Sequence, residues 1–89
     1  MLETTLKIIN PLGLHARAAG KFVNLAKSFQ SEITLRKTAE AVDGKSIMSV
    51  MLLAAPVGSE IELRVHGDDE SDAFNALCEL INNGFGELD

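Results

Sequence analysis

Residues 13–29 read GLHARAAGKFVNLAKSF, and the reading of this stretch decides the rest. At 100° per residue, Ala18, Ala19, Phe22, Val23, Leu25, Ala26 and Phe29 fall on one side of a helix. Arg17, Gly20, Lys21, Asn24, Lys27 and Ser28 fall on the other. A helix divided this cleanly packs on one face, so the chain must supply a surface beneath it. Upstream, Leu2, Thr4, Leu6 and Ile8 alternate with Glu3, Thr5 and Lys7, the pattern of a half-buried strand, which Asn10, Pro11 and Gly13 then break.

Downstream, Ile33 and Leu35 alternate with Glu32, Thr34 and Arg36 in a second strand. Lys37 and Thr38 predict a turn, and Ala39–Val42 a short third strand ended by Asp43 and Gly44. Ser46 suits the cap of a second helix running to about Ala55, closed by Pro56 and Gly58. Ile61, Leu63 and Val65 mark a fourth strand. Asp68 or Asp69 opens a last helix with Ala73, Phe74, Leu77 and Ile81 as its apolar stripe and Gly84 at its end. The acids at 68–72 are expected to serve that helix's N-terminus. The order is strand, helix, strand, strand, helix, strand, helix. Alternating strands bury one sheet face, which the helices must cover. The expected fold is α+β, an open-faced sandwich of a four-stranded antiparallel sheet and three helices. The last strand should lie between the first two.

Length and composition narrow the function. With 89 residues the chain is expected to form one domain over 1–89, without room for a deep substrate cavity. A net charge of −5 argues against a nucleic-acid binder. The opening MLETTLKIIN has an early acid and no apolar run of signal-peptide length. The stretch from Ile47 to Val57 is too short to span a bilayer. Cys78 is the one cysteine, which excludes an internal disulfide. A cytoplasmic, monomeric protein without cofactor or membrane insertion is the expectation. His15, His66 and Cys78 lack ligand spacing, so no metal site is expected.

His15 falls where a loop becomes the first helix. The amides that follow it, from Ala16 and Arg17 onward, have no helical partner and form an anion site with the helix dipole. The dipole favours the neutral, nucleophilic ring. A phosphoryl group on that ring would meet free donors at once, and Arg17 could add charge-assisted bonds. Phosphoryl transfer needs mainly positioning and charge stabilisation. There is no P-loop motif to bind ATP, so the phosphoryl group would come from another protein. On these residues alone, a polar loop histidine beside a solvated arginine fits equally well.

The stretch GLHARAAGKFV at 13–23 resembles the active-centre motif of HPr, the histidine-containing phosphocarrier family of the bacterial phosphotransferase system. KSIMSVM at 45–51 resembles that family's regulatory serine motif. The resemblance implies a carrier rather than an enzyme. It would take a phosphoryl group from enzyme I onto His15, through Nδ1, and pass it to IIA-type domains, with Arg17 as phosphoryl partner. It also implies Ser46 as a target of an HPr kinase/phosphorylase. One position departs from the family: Ala18 stands where proline is usual.

The helix after Ser46 carries apolar residues nearly all round. Val50 and Leu53 suit the core. Ile47, Met48 and Met51 should stay partly exposed as a docking patch, beside Gly20, Lys21, Asn24 and Lys27 on the neighbouring helix. The competing reading is a regulatory interaction module switched at Ser46, with His15 idle. A small-molecule-binding domain of the same architecture is a further rival.

Overall fold

A computed structural model describes residues 1–88. Its elements are β1 (Leu2–Lys7), α1 (Ala16–Lys27), β2 (Glu32–Arg36), β3 (Ala41–Asp43), α2 (Ile47–Leu52), β4 (Glu60–His66) and α3 (Glu70–Asn82). A short turn over Gly84–Gly86 follows. The strands form one antiparallel sheet in the order β1-β4-β2-β3, so the last strand lies between the first two, as expected. Leu2 pairs with Val65 and Lys7 with Glu60 on one side of β4. Ile33 pairs with Val65 on the other. β4 is thus hydrogen-bonded on both edges, and its inward residues Ile61, Leu63 and Val65 are buried.

The three helices cover that face. From α1 come Ala18, Ala19, Phe22, Val23 and Ala26, from α2 Val50, and from α3 Ala73, Leu77 and Ile81. The stripe read from the first helix is therefore the core face, with Leu25 and Phe29 packed at its margin.

Three boundaries and one cap differ from the sequence reading: the first helix, read over 16–29, ends at Lys27 with Ser28 as its C-cap. The third strand occupies Ala41–Asp43 rather than Ala39–Val42. Pairing of Arg36 with Ala41 leaves exposed residues 37–40 as a four-residue connection, longer than the expected two-residue turn. The second helix ends at Leu52, short of Ala55. Ala54 takes a left-handed backbone (φ 48°), and the Ala55 carbonyl accepts from Leu14 N instead of continuing the helix. Asp69 stands at the start of α3 but makes no cap bond to it. Its carboxylate accepts from Gln30 N, Ser31 N and Ser31 Oγ. One member of the acidic run thus ties the α1–β2 connection to α3, while Glu70 and Asp72 occupy the first helical turn. The Ser31 hydroxyl, followed by the Gln30 amide, holds the Asp69 carboxyl below its usual 3.8.

Candidate functional site

The loop before α1 is held by backbone and by one buried side chain. Gly13 adopts a left-handed conformation (φ 68°). A Cβ there would stand 2.7 Å from the Ala55 carbonyl oxygen and 3.0 Å from Pro56 Cα. Glycine is required by both backbone sign and space. Leu14 is buried, and its N–H donates to the Ala55 carbonyl at 2.8 Å. Asn10 is 0% exposed, and its Nδ2 donates to the Gly13 carbonyl at 2.7 Å. These ties carry the chain directly into His15.

His15 is the N-cap of α1, with extended backbone (φ −78°, ψ −179°). Its carbonyl accepts from Ala19 N at 2.8 Å, the first bond of the helix. Its Nδ1 accepts from Arg17 N at 3.3 Å. An imidazole nitrogen that accepts an amide N–H carries no proton, so the network assigns the ring proton to Nε2. The two amides expected to face a phosphoryl group differ in the resting state. Arg17 N is engaged by the ring, whereas Ala16 N has no acceptor among the described residues. The Arg17 side chain is exposed, and its guanidinium has no ion pair among the described residues.

The other ring nitrogen meets a group that the sequence reading missed. His15 Nε2 lies 2.6 Å from Glu87 Oε1. Glu87 comes from the chain beyond α3, where Gly84, Phe85 and Gly86 all take left-handed conformations (φ 60°, 56° and 73°). Three such residues in succession fold the chain back toward α1. Phe85 bears the strain of a non-glycine there and is 1% exposed, so core burial compensates it. Lys21 Nζ donates to the Phe85 carbonyl at 2.7 Å. Asn10 Nδ2 donates to Glu87 Oε1 at 3.1 Å. The hydrogen bond to His15 is the largest influence holding the Glu87 carboxyl below its usual 4.5, with the Asn10 hydrogen bond and the Lys21 charge adding to it. Glu87 Oε2 is buried without a partner among the described residues. The glycines around Phe85 were the one available signal, since paired glycines mark a chain reversal.

Ser46 is the N-cap of α2, and its Oγ accepts from Ser49 N at 3.3 Å. α2 packs beside α1, where a Cβ on Gly20 would meet Ile47 Cδ1 at 3.7 Å. Ile47, Met48 and Met51 are exposed, as expected, and Leu52 joins them at 78%. Leu52 stands four residues after Met48, a spacing that could have placed it on the same face. Asn24 and Lys27 are exposed on α1, whereas Gly20 is half-buried and the Lys21 ammonium is committed to Phe85. His66 is solvated beside Glu70. Cys78 packs at the core margin, where burial pushes its thiol up and keeps it protonated.

No group of three His, Cys, Asp or Glu side chains gathers among the described residues. Among the same residues, no helix is long and apolar enough to cross a membrane.

A family model described as the PTS HPr component phosphorylation site matches residues 2–83. The chain is 52% identical to the phosphocarrier protein HPr of Neisseria meningitidis serogroup A over 87 residues, 98% of each chain. It superposes on the crystal structure of HPr-C-His from Thermoanaerobacter tengcongensis with a TM-score of 0.94, at 45% identity and 98% coverage of each chain. A dimer of HPr from T. tengcongensis also matches, with a TM-score of 0.78, 45% identity, and coverage of 98% of this chain and 100% of that one. Family likeness therefore does not in itself imply a monomer. The architecture, the histidine at the head of α1 and these likenesses agree that the chain belongs to the HPr family of phosphocarrier proteins of the phosphotransferase system.

Proposed function

We propose that the chain accepts a phosphoryl group from enzyme I on His15 Nδ1 and passes it to IIA-type domains. One observation carries the reading: Nδ1 accepts the Arg17 amide at the N-terminus of α1, and the Arg17 guanidinium beside it in sequence has no ion pair among the described residues. The Nδ1 lone pair is the nucleophile. When it bonds to phosphorus, the Arg17 amide loses its acceptor and a phosphoryl oxygen takes its place. The Ala16 amide and the Arg17 guanidinium supply further donors to the same dianion. The helix end thus exchanges one cap for another, and the transfer leaves no amide stranded.

Ile47, Met48, Met51 and Leu52 form the proposed contact face for both partners, with Gly20, Asn24 and Lys27 alongside and Lys21 at its border. A basic helix face steers acidic partners despite the acidic total. Ser46 stands at the edge of this face. A phosphate placed there by an HPr kinase would repel the same acidic partners. The regulatory module with an idle His15 is disfavoured, because both ring nitrogens of His15 are held in a defined tautomer.

The test is incubation with phosphoenolpyruvate and enzyme I. The expected product is an acid-labile phosphate that disappears in His15→Ala and weakens in Arg17→Ala. A stable ester confined to Ser46, or no label, would refute the reading.

A further inference from the structure

We infer that Glu87 is a positioning residue that keeps the proton on His15 Nε2 throughout the transfer cycle, so that the phosphoryl group stays transferable. The inference rests on the carrier reading and deepens it. Its basis is the 2.6 Å contact between Nε2 and Glu87 Oε1, opposite the nitrogen proposed to react. The carboxylate is fixed in place by Asn10 Nδ2 and by the Lys21 bond to the Phe85 carbonyl.

The chemistry follows from where the proton stays. On loading, the Nδ1 lone pair attacks phosphorus, and the donor's bond to phosphorus breaks with its pair returning to the donor. No proton leaves the ring, because Nε2 retains its own. The ring becomes a phosphoimidazolium, and its positive charge faces the Glu87 carboxylate. On unloading, the Nδ1–P pair returns to the ring, and the leaving group is neutral imidazole. Had Nε2 lost its proton to solvent, the leaving group would be imidazolate, a far stronger base and a far poorer one to expel.

Two features show that the carboxylate is better matched to the loaded ring than to the resting one. Glu87 is only 13% exposed, and among the described residues its Oε2 is buried with no partner, so at rest its side-chain hydrogen bonds reach Oε1 alone, from Asn10 and the neutral ring. A cationic ring attracts this carboxylate more strongly than a neutral ring does, which makes the interaction stronger in the loaded state. Among the described residues, the other charged groups near the ring are Arg17 and Lys21, both cations from α1. The loops at 10–14 and 55–57 and the α2 residues 46–53 bring no titratable side chain. Glu87 is therefore the one anion that faces this ring among the described residues.

The test compares wild type with Glu87→Gln, which keeps shape and removes charge, and Glu87→Asp, which keeps charge. ¹⁵N spectra of the unphosphorylated His15 ring should show Nε2–H alone in wild type and a mixture of tautomers in Glu87→Gln. After loading, the pH profile of onward transfer should move about one unit toward acid in Glu87→Gln, a tenfold loss of rate above neutrality. Glu87→Asp should stay near the wild-type profile. Wild-type tautomer and pH profile in Glu87→Gln would overturn the inference, as would equal defects in the Gln and Asp variants. Failure of wild type to accept phosphate would instead refute the carrier reading, and the ring spectra would still decide the proton's place.

Discussion

Replacing Gly20 by alanine should stabilise the protein, and the size of the gain follows from the position. Gly20 is the fifth residue of α1 (Ala16–Lys27), well inside the helix. It does not have a positive φ, so its backbone is one that any residue adopts. The added Cβ would meet Ile47 Cδ1 at 3.7 Å, an ordinary van der Waals contact, and nothing closer. No steric penalty offsets the helical gain of about 0.5–1 kcal/mol for alanine over glycine. For a domain of this size that corresponds to a rise in Tm of roughly 2–8 °C. Thermal melts and urea titrations of the two proteins measure it directly, and the urea slope should not change. An unchanged or lower midpoint would refute the claim that the α1–α2 gap at Gly20 has room for a methyl group. Phosphoryl transfer should be followed separately, since the methyl would enter the proposed contact face.

Gly44→Ala should act in the opposite sense. Its Cβ would stand 2.7 Å from Ile33 Cγ2 and 3.0 Å from the Ile33 carbonyl, which the Gly44 N–H already binds at 2.8 Å. The entropic gain of about 0.4–1 kcal/mol is outweighed by an overpacking cost of about 1–3 kcal/mol, so a higher urea midpoint would contradict the packing. Stability should fall with acid. Asp69, Glu70 and Glu87 all have carboxyls held below their usual 3.8 or 4.5. A lowered folded value contributes stability that is present above the usual value and lost as pH falls through the folded one. The decline should therefore begin near pH 4.5 and flatten in Asp69→Asn, and an identical acid slope in that variant would argue against the Ser31 tie. Met48→Lys should leave stability within about 0.5 kcal/mol, because Met48 is 72% exposed. It should nevertheless slow phosphoryl transfer, and a normal rate would remove Met48 from the contact face.

The parts of the molecule legible in the sequence were those governed by periodicity. The α1 stripe, the alternation of β1, β2 and β4 and the Ser46 cap each repeat at short range, and each lies where expected. The position of β4 between β1 and β2 followed from handedness. The boundaries that moved were set by tertiary bonds. Ala54 leaves the helical region where Leu14 claims the Ala55 carbonyl. Asp69 looks like a cap from its neighbours, yet its acceptors are spent on Gln30 and Ser31. The site divided in the same way. His15 and Arg17 are adjacent to a readable helix start, whereas Glu87 reaches the ring from the far end of the chain. No local pattern ties residue 87 to residue 15. Only the left-handed run at 84–86 brings them together.

The interleaved sheet has a kinetic consequence. β2 and β3 are consecutive in the chain and pair with each other, but among the described residues every other strand pairing involves β4. β1 is made before the other three strands and has no neighbour until Glu60–Val65 of β4 has been made. Pairings this distant in sequence close late and fold slowly for the chain's size. During that interval Leu2–Lys7 carries alternating apolar residues and unpaired backbone groups, open to the β4 of any other copy. Chain order and sheet order disagree in this fold, and the N-terminal strand is exposed for as long as the disagreement lasts.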